Sequence, residues 1–149
     1  MLRKLVSTSD DRTQALLRIT LGAVMFPHGA QKALGLFGGY GFSGTMGFFT
    51  GTMGIPAPFA FLAIAAEFAG ALGLIFGLFS RVAALGIASV MAVAIATVHA
   101  QNGFFMNWTG TQKGEGFEYH LLALALSVAV LVRGSGAFSL DRKVQAVLQ

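Results

Sequence analysis

Three histidines, two glutamates and a lysine stand inside or at the ends of otherwise apolar stretches of this chain. His28 is followed by Gln31 and Lys32. Glu67 is the one charge in its run. His99 is followed by Gln101 and Asn102, and Glu118 precedes His120 by two positions. An ionisable group in such a stretch costs at least about 2.5–3.5 kcal/mol on insertion scales, so it marks a functional site by default. Imidazoles bind a carbonyl, a hydroxyl or a metal. Carboxylates manage protons, and an ammonium attracts an anion. Several chemistries are open. One is a His/carboxylate site for Zn, Mn or non-haem Fe, with His28, His99 and His120 as candidate ligands. No HExxH spacing supports it. Another is a b-type haem between histidines of facing helices. A third is a quinone or other small aromatic molecule held among Phe and Met walls with a few convergent polar groups. The bland alternative is a hydrogen-bonded polar plug that only orients helices.

The elements that carry these residues read as membrane spans. The chain has 149 residues, 55% of them hydrophobic and 11% charged. An ordinary soluble domain carries about 25% charged residues, so the apolar excess is expected to face lipid. A spanning helix needs roughly 20 apolar residues. Candidate spans are 13–34, 57–79, 82–98 and the shorter 117–132. Met1–Gln14 is polar and shows no signal-peptide h-region, so the first span is expected to be retained. Cysteine is absent, which removes disulfides, Fe–S clusters and thiolate metal sites.

Orientation follows from basic residues. Arg3, Lys4, Arg12, Arg81, Arg133, Arg142 and Lys143 fall on one side of a four-span arrangement; Lys32 and Lys113 fall on the other. Both termini, and a two-residue turn at Ser80–Arg81, are therefore expected in the cytoplasm. Gly22 and Gly29 share a helical stripe with Arg18, Met25 and Lys32, and small residues at such spacing let helices approach closely in lipid. In the first outer loop, Phe42, Met46, Phe49 and Met53 recur at helical spacing and predict a short interfacial helix over 42–53. In the second, Phe104, Phe105 and Trp108 suit the headgroup level or a lid. The fold class is thus all-α: one membrane domain, residues 1–149, built as a four-transmembrane-helix bundle with a short interfacial helix.

Antiparallel spans bring all the polar groups to the outer half. At 1.5 Å per residue, Glu67 lies roughly 15 Å below the outer start of its helix, between the depths of Arg18 and His28. That predicts an Arg18–Glu67 ion pair. Pro27 frees the carbonyl of Ala23 and predicts a kink beside His28. Glu118 and His120 can share a pocket only if their helix starts after Glu118.

Four segments together resemble the DoxX family of small bacterial inner-membrane proteins. They are Met25-Phe26-Pro27-His28-Gly29-Ala30-Gln31-Lys32, Ala66-Glu67-Phe68-Ala69-Gly70-Ala71, His99-Ala100-Gln101-Asn102-Gly103-Phe104-Phe105 and Glu118-Tyr119-His120. The resemblance covers about Arg12 to Arg142. It implies four helices in the bacterial plasma membrane and an association with oxidoreductase complexes, quinone-linked chemistry and stress defence. The resulting expectation is a redox-associated membrane protein that binds a quinone-like molecule. Glu67, His28 and His120 are its candidate catalytic residues. Lys32, Gln31, His99, Gln101, Asn102, Glu118, Phe104 and Trp108 are the candidate contacts. The competing expectations are a small transporter or exporter, for which a homodimer is expected, and an anchor or accessory subunit of an oxidoreductase. No nucleic-acid partner is expected.

Overall fold

The computed structural model describes residues Leu2–Leu148, and among them every regular element is helical. In chain order these are α1 (Leu2–Leu5), α2 (Arg12–Leu34), α3 (Gly41–Gly47), α4 (Ala57–Phe76), α5 (Ser80–Ala94), α6 (Glu118–Arg133) and α7 (Leu140–Val147). α3 runs into a wide turn, Phe48–Thr52, and α5 continues through Ile95–His99 and Ala100–Asn102. The four long helices close a ring: α2 packs on α4, α4 on α5, α5 on α6, and α6 back on α2. Their shared core is Leu21, Met25, Ala71, Leu74, Ala84, Ile87, Met91, Ala123 and Val130.

Helix ends explain the boundaries. The Asp11 side chain accepts from the Gln14 backbone N–H at 3.0 Å and opens α2. Gly35, at φ +73°, closes it in the left-handed conformation. Between these caps α2 runs as one helix through Pro27. The tightest packing is α2 on α4. A Cβ at Gly29 would lie 2.5 Å from the Glu67 carbonyl oxygen, so only glycine permits that approach. Gly22 meets Ala71 and Ile75 in the same way.

Two of the four long helices, Ala57–Phe76 and Ser80–Asn102, are long and apolar enough to cross a membrane. The other two fall short for physical reasons. α2 has the length, but Arg18, Gln31 and Lys32 dilute its hydropathy. α6 has 16 residues, which rise about 24 Å against a hydrocarbon core of about 30 Å. The outward faces of α4, α5 and α6 are nonetheless apolar and open: Phe59, Phe61, Leu62, Leu85, Leu122 and Val132 are each more than half exposed.

The turn between α4 and α5 is Gly77–Phe79 rather than Ser80–Arg81, which are the first residues of α5. Gly77 ends α4 at φ +69°. The Asp141 carboxylate then accepts from the N–H groups of Phe79 (2.8 Å) and Ser80 (3.1 Å), so capping by a distant residue starts α5 early. The helix expected over 42–53 is present as α3 and its wide turn, and Phe42 meets Phe61 of α4 edge-on at 6.3 Å.

Candidate functional site

Glu67 is buried on α4 at the point where Gly29 admits α4 against α2. One turn beyond Gly29, Lys32 sends its ammonium back to Glu67, with Nζ 2.6 Å from Oε2. The glutamate side chain is 4% exposed and the lysine 27%, so the pair is buried on one side and open on the other.

The Arg18–Glu67 pair expected from depth is therefore corrected. Arg18 is fully buried, but it points to the opposite end of the bundle. Its Nε donates to the Ser135 carbonyl at 2.7 Å. Nη1 donates to the carbonyls of Leu74 and Ile75, and Nη2 to those of Ala137 and Phe138. A guanidinium carries five donors in a fixed fork. Here five carbonyls, from the end of α4 and the segment before α7, take them all. Depth along a helix says nothing about this choice, because carbonyl acceptors carry no residue type.

At the other end, aromatic and imidazole rings form a row. His28 of α2 lies 5.9 Å from Tyr119 of α6 between ring centroids. Tyr119 is 5.5 Å from His120, and His120 is 4.1 Å from His99. The Tyr119 hydroxyl donates to the Met25 sulfur at 3.3 Å. The His99 Nδ1 lies 2.8 Å from the Glu115 carbonyl. A carbonyl can only accept, so that nitrogen carries the proton, and in the neutral ring Nε2 is left with its lone pair. Asn102 donates to the same carbonyl at 3.1 Å, tying the end of α5 to the following loop. His120 is 6% exposed, and its Nδ1 is buried with no partner among the described residues.

The remaining candidates divide. Glu118 opens α6, and its Oε1 accepts from the Trp108 indole N–H at 3.1 Å. It thus faces the loop while His120 faces the core, as two positions on a helix require. Phe104 stacks edge-on with Phe105 and Phe117 at 5.1 and 5.5 Å. Gln31 donates to the Phe37 carbonyl and Gln101 to that of Val98; Gln101 is exposed, and neither reaches the histidine row. Tyr119 and Met25 belong to the row, although an unremarkable tyrosine after a glutamate gives no ligand-like signal. Among the described residues no three His, Asp or Glu side chains converge on a point that could hold a metal ion. The three candidate histidine ligands are therefore not gathered into one set: His99 and His120 touch, while Tyr119 stands next to both His120 and His28. His99 and His120 touch, which leaves no slot for a porphyrin between those two rings.

Fold and site together define a small helical bundle with an apolar exterior and an ionisable, partly open end. The DoxX family profile matches residues 13–100. A curated relative, named "Putative oxidoreductase CatD" from Bacillus subtilis (strain 168), is 31% identical over 126 residues, covering 85% of this chain and 82% of that protein. The chain belongs to the DoxX family. No solved structure matches it.

Proposed function

We propose that this DoxX protein is a multi-pass, redox-associated protein of the bacterial plasma membrane, and that its histidine end binds a quinone-like or other small aromatic molecule. In this reading α2, α4, α5 and α6 all cross the bilayer and both chain ends are cytoplasmic. The exposed Phe and Leu side chains of α4, α5 and α6 contact lipid. The short α6 is accommodated by local thinning, and the Lys32–Glu67 pair lies in the outer half with its lysine side partly open.

The observation that carries the ligand is the His120 Nδ1. A buried ring nitrogen without a partner costs about 1–3 kcal/mol. A quinone carbonyl or a hydroxyl placed there removes that cost. Around it stand the groups such a molecule needs. His99 has Nε2 as a free acceptor, His28 is exposed, and Met25 and Tyr119 supply apolar wall. The Lys32–Glu67 pair lies within electrostatic range of His28 and is the reservoir of charge and protons. Glu67, His28 and His120 are the residues on which proton traffic would fall. Kinship to a relative named as an oxidoreductase supports the redox association.

An exporter without catalysis fits less well. Arg18 and the carbonyls it binds fill the far end of the bundle, where a path through the protein would have to emerge. An accessory anchor would dock through Arg81, Arg133 and Arg142; of these the Arg81 guanidinium already donates to the Leu131, Val132 and Ser7 carbonyls, while Arg133 and Arg142 pair with Asp11 and Asp10 at the surface.

The test is direct. The protein is purified in mild detergent, its extract is analysed by mass spectrometry for lipophilic aromatics, its metals and visible spectrum are recorded, and ubiquinone-1 and menadione are titrated in. Retained or saturable quinone that is lost in His120→Phe supports the reading. A protein with no retained aromatic and no quinone binding refutes it.

A further inference from the structure

At the arginine end, an open groove of about 700 Å³ runs between the end of α4 and α7. Ile75, Phe76, Phe138 and Leu140 make one side apolar; Arg142 and Lys143 rim the other. Phe76 is 60% exposed and Phe138 75%. Phe138 also sits at φ +51°, a region that a phenylalanine seldom occupies. Its backbone is held there from both sides. Arg18 Nη2 donates to its carbonyl, Ser139 Oγ donates to the Gly136 carbonyl at 2.9 Å, and the Asp141 N–H donates to the Gly77 carbonyl at 2.8 Å. The fold thus fixes a large apolar ring in the open beside a second one, at the edge of the bundle.

The cations next to these rings are available. Arg142 pairs with Asp10 at 2.5 Å, but both side chains are substantially exposed, and such pairs contribute little. Lys143 has no ion-pair partner among the described residues. α7 is short and amphipathic, with these two cations beside Val144 and Val147. A basic rim over an apolar wall at the end of a membrane helix is the chemistry that recognises a phosphate carrying acyl chains.

We propose that this groove binds an anionic phospholipid of the surrounding bilayer, its phosphate between Arg142 and Lys143 and its chains along Phe76 and Phe138. The site is separate from the histidine end and rests on the bilayer placement given above. A bound lipid would pin α7, and with it Asp141 and the start of α5, to the membrane surface.

Native mass spectrometry of the full chain in mild detergent tests this, with phosphatidylglycerol and phosphatidylcholine of matched chains as probes. Each cation near an anionic headgroup is worth about a fivefold preference. The parent protein should retain phosphatidylglycerol over phosphatidylcholine. Lys143→Gln should lower phosphatidylglycerol retention about fivefold, and with Arg142→Gln on the order of twentyfold. Asp10→Asn, which frees Arg142, should hold or raise it. Phe138→Ser should weaken both lipids, and millimolar inorganic phosphate should displace neither. Equal retention of the two lipids overturns the proposal. So does a Lys143→Gln variant that unfolds at the parent's temperature and keeps the parent's selectivity. A chain that sediments with membranes but shows no headgroup preference refutes the groove alone. A chain recovered soluble without detergent refutes the bilayer placement.

Discussion

Replacing Arg18 by methionine tests the arginine end most severely. The side chain is fully buried and its five donors meet five backbone carbonyls on two separate segments, Leu74–Ile75 and Ser135–Phe138. Methionine fills most of the volume but supplies no donor. Some of the orphaned carbonyls will find water at the bundle end; leaving two or three unmet, at about 1–3 kcal/mol each, gives a loss of about 3–5 kcal/mol. Unfolding in detergent, followed by Trp108 fluorescence or by SDS titration, reads this loss. A double-mutant cycle then separates this account from the ion pair that depth alone suggests. Arg18→Met and Glu67→Gln should add within about 0.5 kcal/mol, because the two side chains share no partner. Lys32→Met and Glu67→Gln should couple by more than that, because those two touch. An Arg18→Met protein as stable as the parent, or a large Arg18–Glu67 coupling, would mean that the five carbonyls do not hold the arginine end together.

Other outcomes follow from the same geometry. Lys32→Met leaves the buried Glu67 carboxylate alone and should cost about 1–3 kcal/mol, while Lys32→Met with Glu67→Leu should recover most of it; thermal midpoints in detergent decide. Gly29→Ala places a Cβ 2.5 Å from the Glu67 carbonyl and should cost about 1–3 kcal/mol by forcing α2 from α4. Gly70→Ala, whose Cβ would meet Ala83 at an ordinary 3.7 Å, should be within about 1 kcal/mol of the parent in the same measurement. His120→Phe removes a buried nitrogen that has no partner, so stability should hold within about 1 kcal/mol or rise, while quinone retention falls. A strongly destabilised His120→Phe protein would mean that the nitrogen has a structural partner after all.

Much of the architecture is visible in residue order because it rests on local rules. Asp11 and Gly35 bound α2 by capping chemistry. The Gly22–Gly29 stripe announces a close helix contact, since only a missing Cβ allows it. The 42–53 helix follows from apolar spacing in spite of its glycines. What sequence hides is rotation and long-range bonding. Glu67 chooses Lys32 because Gly29 brings its backbone against α2 and a lysine stem can reach back one turn. Its depth is equally compatible with Arg18. α7 is invisible for a similar reason. Its role is to place Asp141 under α5, a bond across 61 residues of chain. In the row at the other end, Tyr119 owes its place to α6 facing α2, which no spacing within its own segment reveals.

The two ends of the bundle spend their polar groups differently, and that difference locates function better than the residue types do. At the arginine end the account nearly closes. Arg18 uses its whole fork, Gln14 donates to the Gly134 and Ala129 carbonyls, and Asp141 accepts from two backbone N–H groups and the Ser135 hydroxyl. Among the described residues the unmet buried side-chain nitrogen there is Nε of Arg81, which belongs to a guanidinium whose other nitrogens are bonded. Such a network holds a shape and has nothing left to offer a small molecule within it. At the histidine end the account stays open. One imidazole nitrogen is buried and unmet among the described residues, a second ring is exposed, and the ion pair beside them is closed on one side only. Buried polar groups are rarely left unpaired without a reason. The same physical rule that makes Arg18 structural is what supports the proposal that a ligand meets the His120 Nδ1. Arg18 is the more deeply buried side chain, yet the functional expectation moves to an imidazole in the first turn of α6.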